Sequence, residues 1–535
     1  MSKKFRWNKR VASALAAGAL MLTLPLAGCN KSDDNKNSGS GSVSQTAEPS
    51  AETKFGGDIV AKTKNYKISY PVMEYIFNYM FKNFCNTYGT SYFDTTKDLK
   101  SQYYNEEEKI TWYDYFYNTT KNYMTQILVF AEGAKEEGLE LTPSEESTIN
   151  SNFTVMESVA KESSMTLDSY IAKEYGTEVK KEDVEEIQKI TVLAQDYNNE
   201  LLESYVFNEE DYEKEYKDNK NTYDCADFLV YSFNYTADTS DEDKAKLKEN
   251  AEALANTKTP KEYQTYLTNY MKNNPSVVPV PSTESSITEA EFNSVIDTNV
   301  TAALNKGVAY NDSSTAYKWI FDPSRKANET TVIEESNSYS AIMIVKPLYR
   351  DETITRNIRH ILITESTEGS DEAAKKKAES VLDEWKKGAA NEESFGELAN
   401  KYSEDSGSNT KGGLYENVQP GKMVTEFNDW LFNKARKVGD TGIVKTSYGY
   451  HVMYYCGESL AVWKIPADSN MRKQKLSDDY EEMKKKYPVE FDEDAMKKMT
   501  LTMPVTEPSE TSIEYFDDSD TEESASSGGS AASAG

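Results

Sequence analysis

The chain has 535 residues, 60 basic and 90 acidic, for a net charge of −30. That balance argues against direct nucleic-acid binding, which needs Lys and Arg against phosphates, and a mean hydropathy of −0.73 excludes a polytopic membrane protein. The length fits two to four domains, and any imidazole chemistry must use the only two histidines, His360 and His451.

The first ten residues carry Lys3, Lys4, Arg6, Lys9 and Arg10 without an acid, followed by an apolar run from Val11 to Leu26 and then Ala27-Gly28-Cys29. A basic start, a short apolar run and small residues before a cut predict a secretory signal over 1–28. The run is short of the ~20 residues a spanning helix needs. Leu26-Ala27-Gly28-Cys29 resembles a bacterial lipobox, which implies that Cys29 becomes the lipidated first residue. The mature chain would then be anchored to the outer face of the cell membrane. Several acyl chains on one residue hold stably where one does not. Losing five positive charges would bring the net charge near −35 (−30 minus 5). Residues 29–54 are Ser, Asn, Gly, Asp, Lys and Thr with little to bury, a flexible tether. Residues 505–535 hold eight acids and no base, a disordered acidic tail. Cys85, Cys225 and Cys456 are odd in number and widely spaced, with no CxxC motif, so small buried hydrophobes are expected.

Residues 55–220 read as a helical domain. Val72, Tyr75, Ile76, Tyr79 and Met80 recur at three- and four-residue steps after Pro71, which a first turn tolerates. A second apolar helix covers Ile127 to Ala134, and Thr142-Pro143-Ser144-Glu145 reads as a cap and a fresh start. A third unit ends in Val184, Ile187, Ile190, Leu193, Ala194 and Tyr197. The segments "VAKTKNYKISYPVMEYIF", "ILVFAEGAKEEGLELTPSEE" and "YIAKEYGTEVKKEDVEEIQK" resemble the N-terminal helical part of extracytoplasmic foldases of the SurA/PrsA type. The resemblance implies a chaperone cradle, and the excess of Tyr over Phe, 37 to 19, suits a surface that holds apolar segments while wet.

Residues 353–457 concentrate the chemistry. Ile358–Ile363 alternates as a strand with His360 on one face beside Ile358 and Leu362. Ala374, Ala378, Val381, Leu382 and Trp385 form a helical stripe, and Phe395, Leu398, Ala399 and Tyr402 a shorter one. "YSEDSGS" and "KGGLYE" read as loops, Phe427, Leu431 and Phe432 fall at helical spacing, and Gly449 feeds a strand carrying His451. The order β-α-α-β-α-β, with "RHILI", "SFGELANKYSED", "KGGL", "GKMVTEF" and "GYHVM" in sequence, closely resembles the parvulin family of peptidyl-prolyl isomerases over about 100 residues.

The resemblance implies that His360 and His451 form a hydrogen-bonded pair with Thr446, and that Asp405 faces the substrate amide. It also implies that Met423 and Phe427 form a socket for the proline ring, with Leu414 at its edge and Phe432 in the core that supports it. Rotating an X–Pro amide breaks no bond, so no nucleophile is required, and the parvulin resemblance around His360, His451 and Asp405 implies an isomerase site rather than a metal triad, with no cofactor; the partners it implies are unfolded or newly translocated secreted chains containing X–Pro bonds. Cys456 stands five residues from His451 on one strand and would point to the other face. The loop after the first strand, Thr364 to Gly369, has two acids and no base, which speaks against phosphate recognition.

Upstream, Trp319–Ile342 aligns without gaps on Trp430–Met453 at an offset of 111, with seven of 24 positions identical. "CADFLVY" then falls on "IRHILIT", and "EYQTYLTNYM" on "SFGELANKYS". In this alignment Asp227 replaces His360, Ser340 replaces His451, Glu335 replaces Thr446 and Asn273 stands near Asp405. The expected architecture is α+β: a helical chaperone-like domain, a degenerate parvulin-like domain at 221–350, and a parvulin domain at 353–457. Each of the last two would be a four-stranded antiparallel sheet with helices. A C-terminal helical segment at 458–504 is expected to return to the N-terminal domain.

Overall fold

The computed structural model describes residues 58–279, 287–310 and 314–502. The signal, Cys29, the tether and the acidic tail lie outside the described residues. The described chain is a mixture of helices and antiparallel sheets, and it divides into two compact units: 206–471, and the residues on either side of it.

In the first unit, helices Tyr70–Tyr88, Trp112–Glu137, Pro143–Glu162, Leu167–Tyr175 and Lys181–Ser204 supply the core. Their starts follow the sequence signals. Ser69 caps the first with Pro71 just inside it, and Thr142 and Glu145 close a capping box around Pro143. The apolar stripe of the second helix is wholly buried from Ile127 to Ala131. Residues from the C-terminal end complete this unit. Glu490–Phe491 adds a strand to Ile59–Lys62, and Tyr113 donates to the carbonyl of Met499 at 2.9 Å.

The second unit holds two four-stranded antiparallel sheets built alike. The upstream sheet runs, edge to edge, Leu304–Ala309, Cys225–Asn234, Ser338–Tyr349, Thr330–Glu335. The downstream sheet runs Leu414–Val418, Ile354–Ile363, Gly449–Ala461, Thr441–Thr446. Helices continue past the division of the two units at 205/206, as far as Tyr223. Tyr212 and Tyr223, on helices Glu209–Asp218 and Lys220–Tyr223, share a buried cluster with Ala461, Trp463 and Ala467 of the second unit.

Each face of the downstream sheet has its own core. Ile361, Ile363 and Val452 pack under helices Asp371–Lys387 and Glu392–Tyr402, with Ala378, Trp385 and Phe395. Ile358 and Met453 pack on the other face with Phe427 and Leu431 of helix Thr425–Leu431. "KGGLYE", expected as a loop, delivers the edge strand Leu414–Val418. Gly413 (φ +68) is what lets it start there, because a Cβ at that position would stand 2.1 Å from the carbonyl oxygen of His360.

The register also corrects the internal repeat. His360 pairs with Met453, and Met453 corresponds to Ile342 at the offset of 111; Ile342 pairs with Val230. Val230, not Asp227, therefore occupies the place of His360, and the backbone agrees. His360 N–H donates to Gly413 O at 2.8 Å, as Val230 N–H does to Ala303 O at 3.0 Å. Asp227 lies at the sheet edge, accepting from Tyr349 OH and Gly307 N, each at 2.8 Å. Ser340 and Glu335 do stand where His451 and Thr446 stand, and Asn273 is the exposed last residue of helix Pro260–Asn273.

Candidate active site

The two histidines reach the site from the two central strands of the downstream sheet. Alternation sends Ile361 and Ile363 under the helices and leaves His360 on the opposite face; His451, one strand over, joins it. Both rings are buried, and their Nδ1 atoms are 3.1 Å apart. His360 Nε2 lies 2.8 Å from Asp405 Oδ2, and His451 Nε2 lies 2.8 Å from Thr446 Oγ1.

These partners fix the protons. Asp405 is held well below the usual carboxylate range by its bond to His360, so it only accepts, and His360 Nε2 carries the hydrogen. The Nδ1 of a neutral His360 is then an acceptor and His451 Nδ1 the donor. His451 Nε2 in turn accepts from the Thr446 hydroxyl. Burial, and then the neighbouring His360, lowers His451 to about 4, so it stays neutral near pH 7. The result is one chain of donors running from Thr446 through both imidazoles to the carboxylate. Tyr448 N–H donates to Thr446 Oγ1 at 3.1 Å and closes the far end.

Of the residues expected to grip proline, Phe427 stands edge-on to both imidazoles, 5.5 Å from His360 and 5.4 Å from His451 between ring centres. Met423 and Phe432 are part-buried against the same cluster, with the Arg356 guanidinium 5.4 Å over the Phe432 ring. Leu414 does not belong to the socket. It pairs with Arg359, and cross-strand partners share a face, so it points away from His360. Its neighbour Tyr415 takes the place, stacked on His360 at 5.1 Å with its hydroxyl 2.9 Å from Asp405 Oδ2.

Sequence reasoning missed two polar members of the site, Tyr415 and Ser408. The buried Ser408 hydroxyl bonds Asp405 Oδ2 and stands 3.2 Å from His360 Nε2. The one available signal for Tyr415 was the Gly412-Gly413 pair, because the chain can turn there directly into a strand. Cys456, by contrast, packs on the helix side of the sheet, across from His451.

Comparison with known proteins fits this geometry. Residues 342–456 match the model of the PPIC-type PPIase domain. The chain is 41% identical to the chaperone SurA of Pseudomonas putida over 108 residues, 20% of this chain and 23% of that one. It is 32% identical to the foldase protein PrsA of Staphylococcus epidermidis over 174 residues, 29% of this chain and 52% of that one. A crystal structure of PrsA from Bacillus anthracis aligns over 46% of this chain and 89% of that chain, at 17% identity and a TM-score of 0.18. The chain thus spans about a quarter to a half of the length of the curated relatives it matches. What the site's residues and the matched family establish together is that this chain carries a parvulin-type, PPIC-class peptidyl-prolyl isomerase domain and is related through it to the SurA and PrsA foldases.

Proposed function

We propose that the protein is an extracytoplasmic foldase, tethered through a lipidated Cys29, that isomerises X–Pro bonds in exported chains while holding them. The single observation that carries the catalytic reading is the ordered chain Thr446–His451–His360–Asp405 set against an apolar socket.

The chemistry needs little more. Amide resonance sets a barrier of ~18–20 kcal/mol, and the uncatalysed step takes tens to hundreds of seconds. In the planar amide, resonance places extra negative charge on the carbonyl oxygen; in the twisted amide that charge retreats to nitrogen. A carboxylate beside the carbonyl therefore raises the planar form more than the twisted one, which is preferential stabilisation of the transition state. Met423, Phe427 and Phe432 hold the proline ring, and the imidazoles hold Asp405.

A protease-coupled proline-peptide assay tests this. His360→Ala and Asp405→Ala are each expected to lower kcat/KM at least tenfold, and equal rates would sink the catalytic assignment. For the anchor, Cys29→Ala is expected to release the protein from the membrane fraction.

A second reading, a holdase, is favoured by one feature of the first unit. Tyr88, Tyr92 and Tyr104 are exposed and join Phe84, Trp112 and Tyr115 in one continuous array of ring contacts. Suppression of client aggregation by a His360→Ala chain with no isomerase activity would support holding as a separate function.

A further inference from the structure

The hydrogen bonds around Asp405 are distributed unevenly. Oδ2 receives His360 Nε2–H at 2.8 Å, Tyr415 OH at 2.9 Å and the Ser408 hydroxyl. Among the described residues Oδ1 receives only the backbone N–H of Gly407, at 3.2 Å. Three donors saturate the lone pairs of one carboxylate oxygen, whereas a single long backbone bond leaves capacity on the other. The Asp405 side chain retains 18% of its exposure, while His360 retains 3%. The carboxylate is therefore where the network meets the surface.

Tyr415 is placed to make that asymmetry. Its strand pairs with the strand of His360, Tyr415 opposite Ile358, so its ring lies on the site face and stacks on the His360 imidazole. The same ring packs in the apolar cluster with Met423, Phe427 and Phe432. Burial, and then Asp405, pushes its hydroxyl up to about 12, so it stays a neutral donor. One side chain thus walls the socket and tethers the carboxylate.

We propose that Tyr415 is a positioning residue that, together with Ser408, commits Asp405 Oδ2 to the protein and leaves Oδ1 as the one carboxylate oxygen offered to the substrate amide. The assignment rests on the isomerase reading above and adds to it which oxygen acts and what orients it. Without the tether the carboxylate can rotate about its own bond, and either oxygen, at a poorer angle, meets the carbonyl.

The test uses the full chain in two arms. In the kinetic arm, Tyr415→Phe keeps the ring and removes the hydroxyl. It is expected to lower kcat about tenfold, the usual scale for a hydrogen bond to a charged group, with KM within twofold of wild type. Tyr415→Leu, which also opens the socket wall, is expected to raise KM as well. In the second arm, 15N-histidine labelling reports only His360 and His451, because the chain has no other histidine. Tyr415→Phe is expected to move the His360 Nε2 resonance, since one competitor for Oδ2 is gone, and to leave His451 Nε2 in place. Leu414→Ala is expected to move neither. Wild-type kcat for Tyr415→Phe, or an unmoved His360 Nε2, overturns the proposal. Should the wild type show no isomerase activity, the functional reading falls by itself, and a still His360 Nε2 resonance would then reject the tether as well.

Discussion

The two sheets of the second unit are one scaffold with two interiors. Strand order, pairing sense and even the backbone bond from the first strand to the edge strand coincide. What differs is a handful of side chains on one face. Where the downstream sheet has His360, His451, Thr446, Tyr415 and Phe427, the upstream sheet has Val230, Ser340, Glu335, Asn305 and Ala316. The upstream face keeps its apolar packing through Phe228, Ile342 and Ile344. Fold and network are thus separable here. The side of the sheet that packs on helices holds the architecture, and the other side can lose both imidazoles, leaving a Ser232–Ser340 hydroxyl pair at 2.8 Å, without changing strand order.

Four experiments would break or sharpen that separation. The largest expected effect is from Phe427→Ala, which empties a buried ring from the downstream cluster and is expected to cost about 3–5 kcal/mol. Hydrogen exchange read separately on Ile354–Ile363 and Cys225–Asn234 should show the loss in the downstream sheet alone.

Acidification comes next. His451 sits at about 4 in the fold against an unfolded value near 6.5, so the unfolded chain binds more protons between those limits. Stability from this group is therefore intact above about pH 6.5 and is lost as pH falls toward 4, by at most ~3 kcal/mol. The upstream sheet, which contains no histidine, should show no such window in the same exchange measurement.

Gly413→Ala follows, at about 2–3 kcal/mol by urea denaturation, a cost set by its φ of +68 and the crowding against His360 O. The converse change at the matching upstream position, Ala303→Gly, should cost under ~1 kcal/mol, because Ala303 has an ordinary φ of −63 at the end of helix Glu289–Ala302. Smallest of all, Val230→Ala and Ser340→Ala should leave kcat/KM within twofold of wild type. A larger change would mean that the upstream face takes part in catalysis.

What was legible in the sequence follows from the same contrast. Alternation over Ile358–Ile363 placed His360 correctly because one face is buried under helices, which makes register a strong constraint. The gap-free match of the last two strands found Ser340 and Glu335, since a short hairpin fixes their spacing. The first strand carried no such anchor. "CADFLVY" resembles "IRHILIT" in hydropathy, yet the pairing is displaced by three residues, turning Val230 into an apparent Asp227. Tyr415 was hidden for a different reason. A Gly-Gly pair reads as a turn, and here the turn is so tight that the strand begins at the next residue, which also exchanges the faces of Leu414 and Tyr415. Ser408, in a loop without periodicity, left no pattern to find.

The chain of donors from Thr446 to Asp405 has one further consequence. Every hydrogen points the same way, so the bond between the rings cannot be reversed alone: two N–H groups would stand head to head at 3.1 Å unless the bond to Thr446 or to Asp405 reversed with it. The tautomers of the two imidazoles are therefore one choice, made once for the whole chain. Spectra of 15N-labelled histidine should show the hydrogen on Nε2 of one ring and on Nδ1 of the other in a single species.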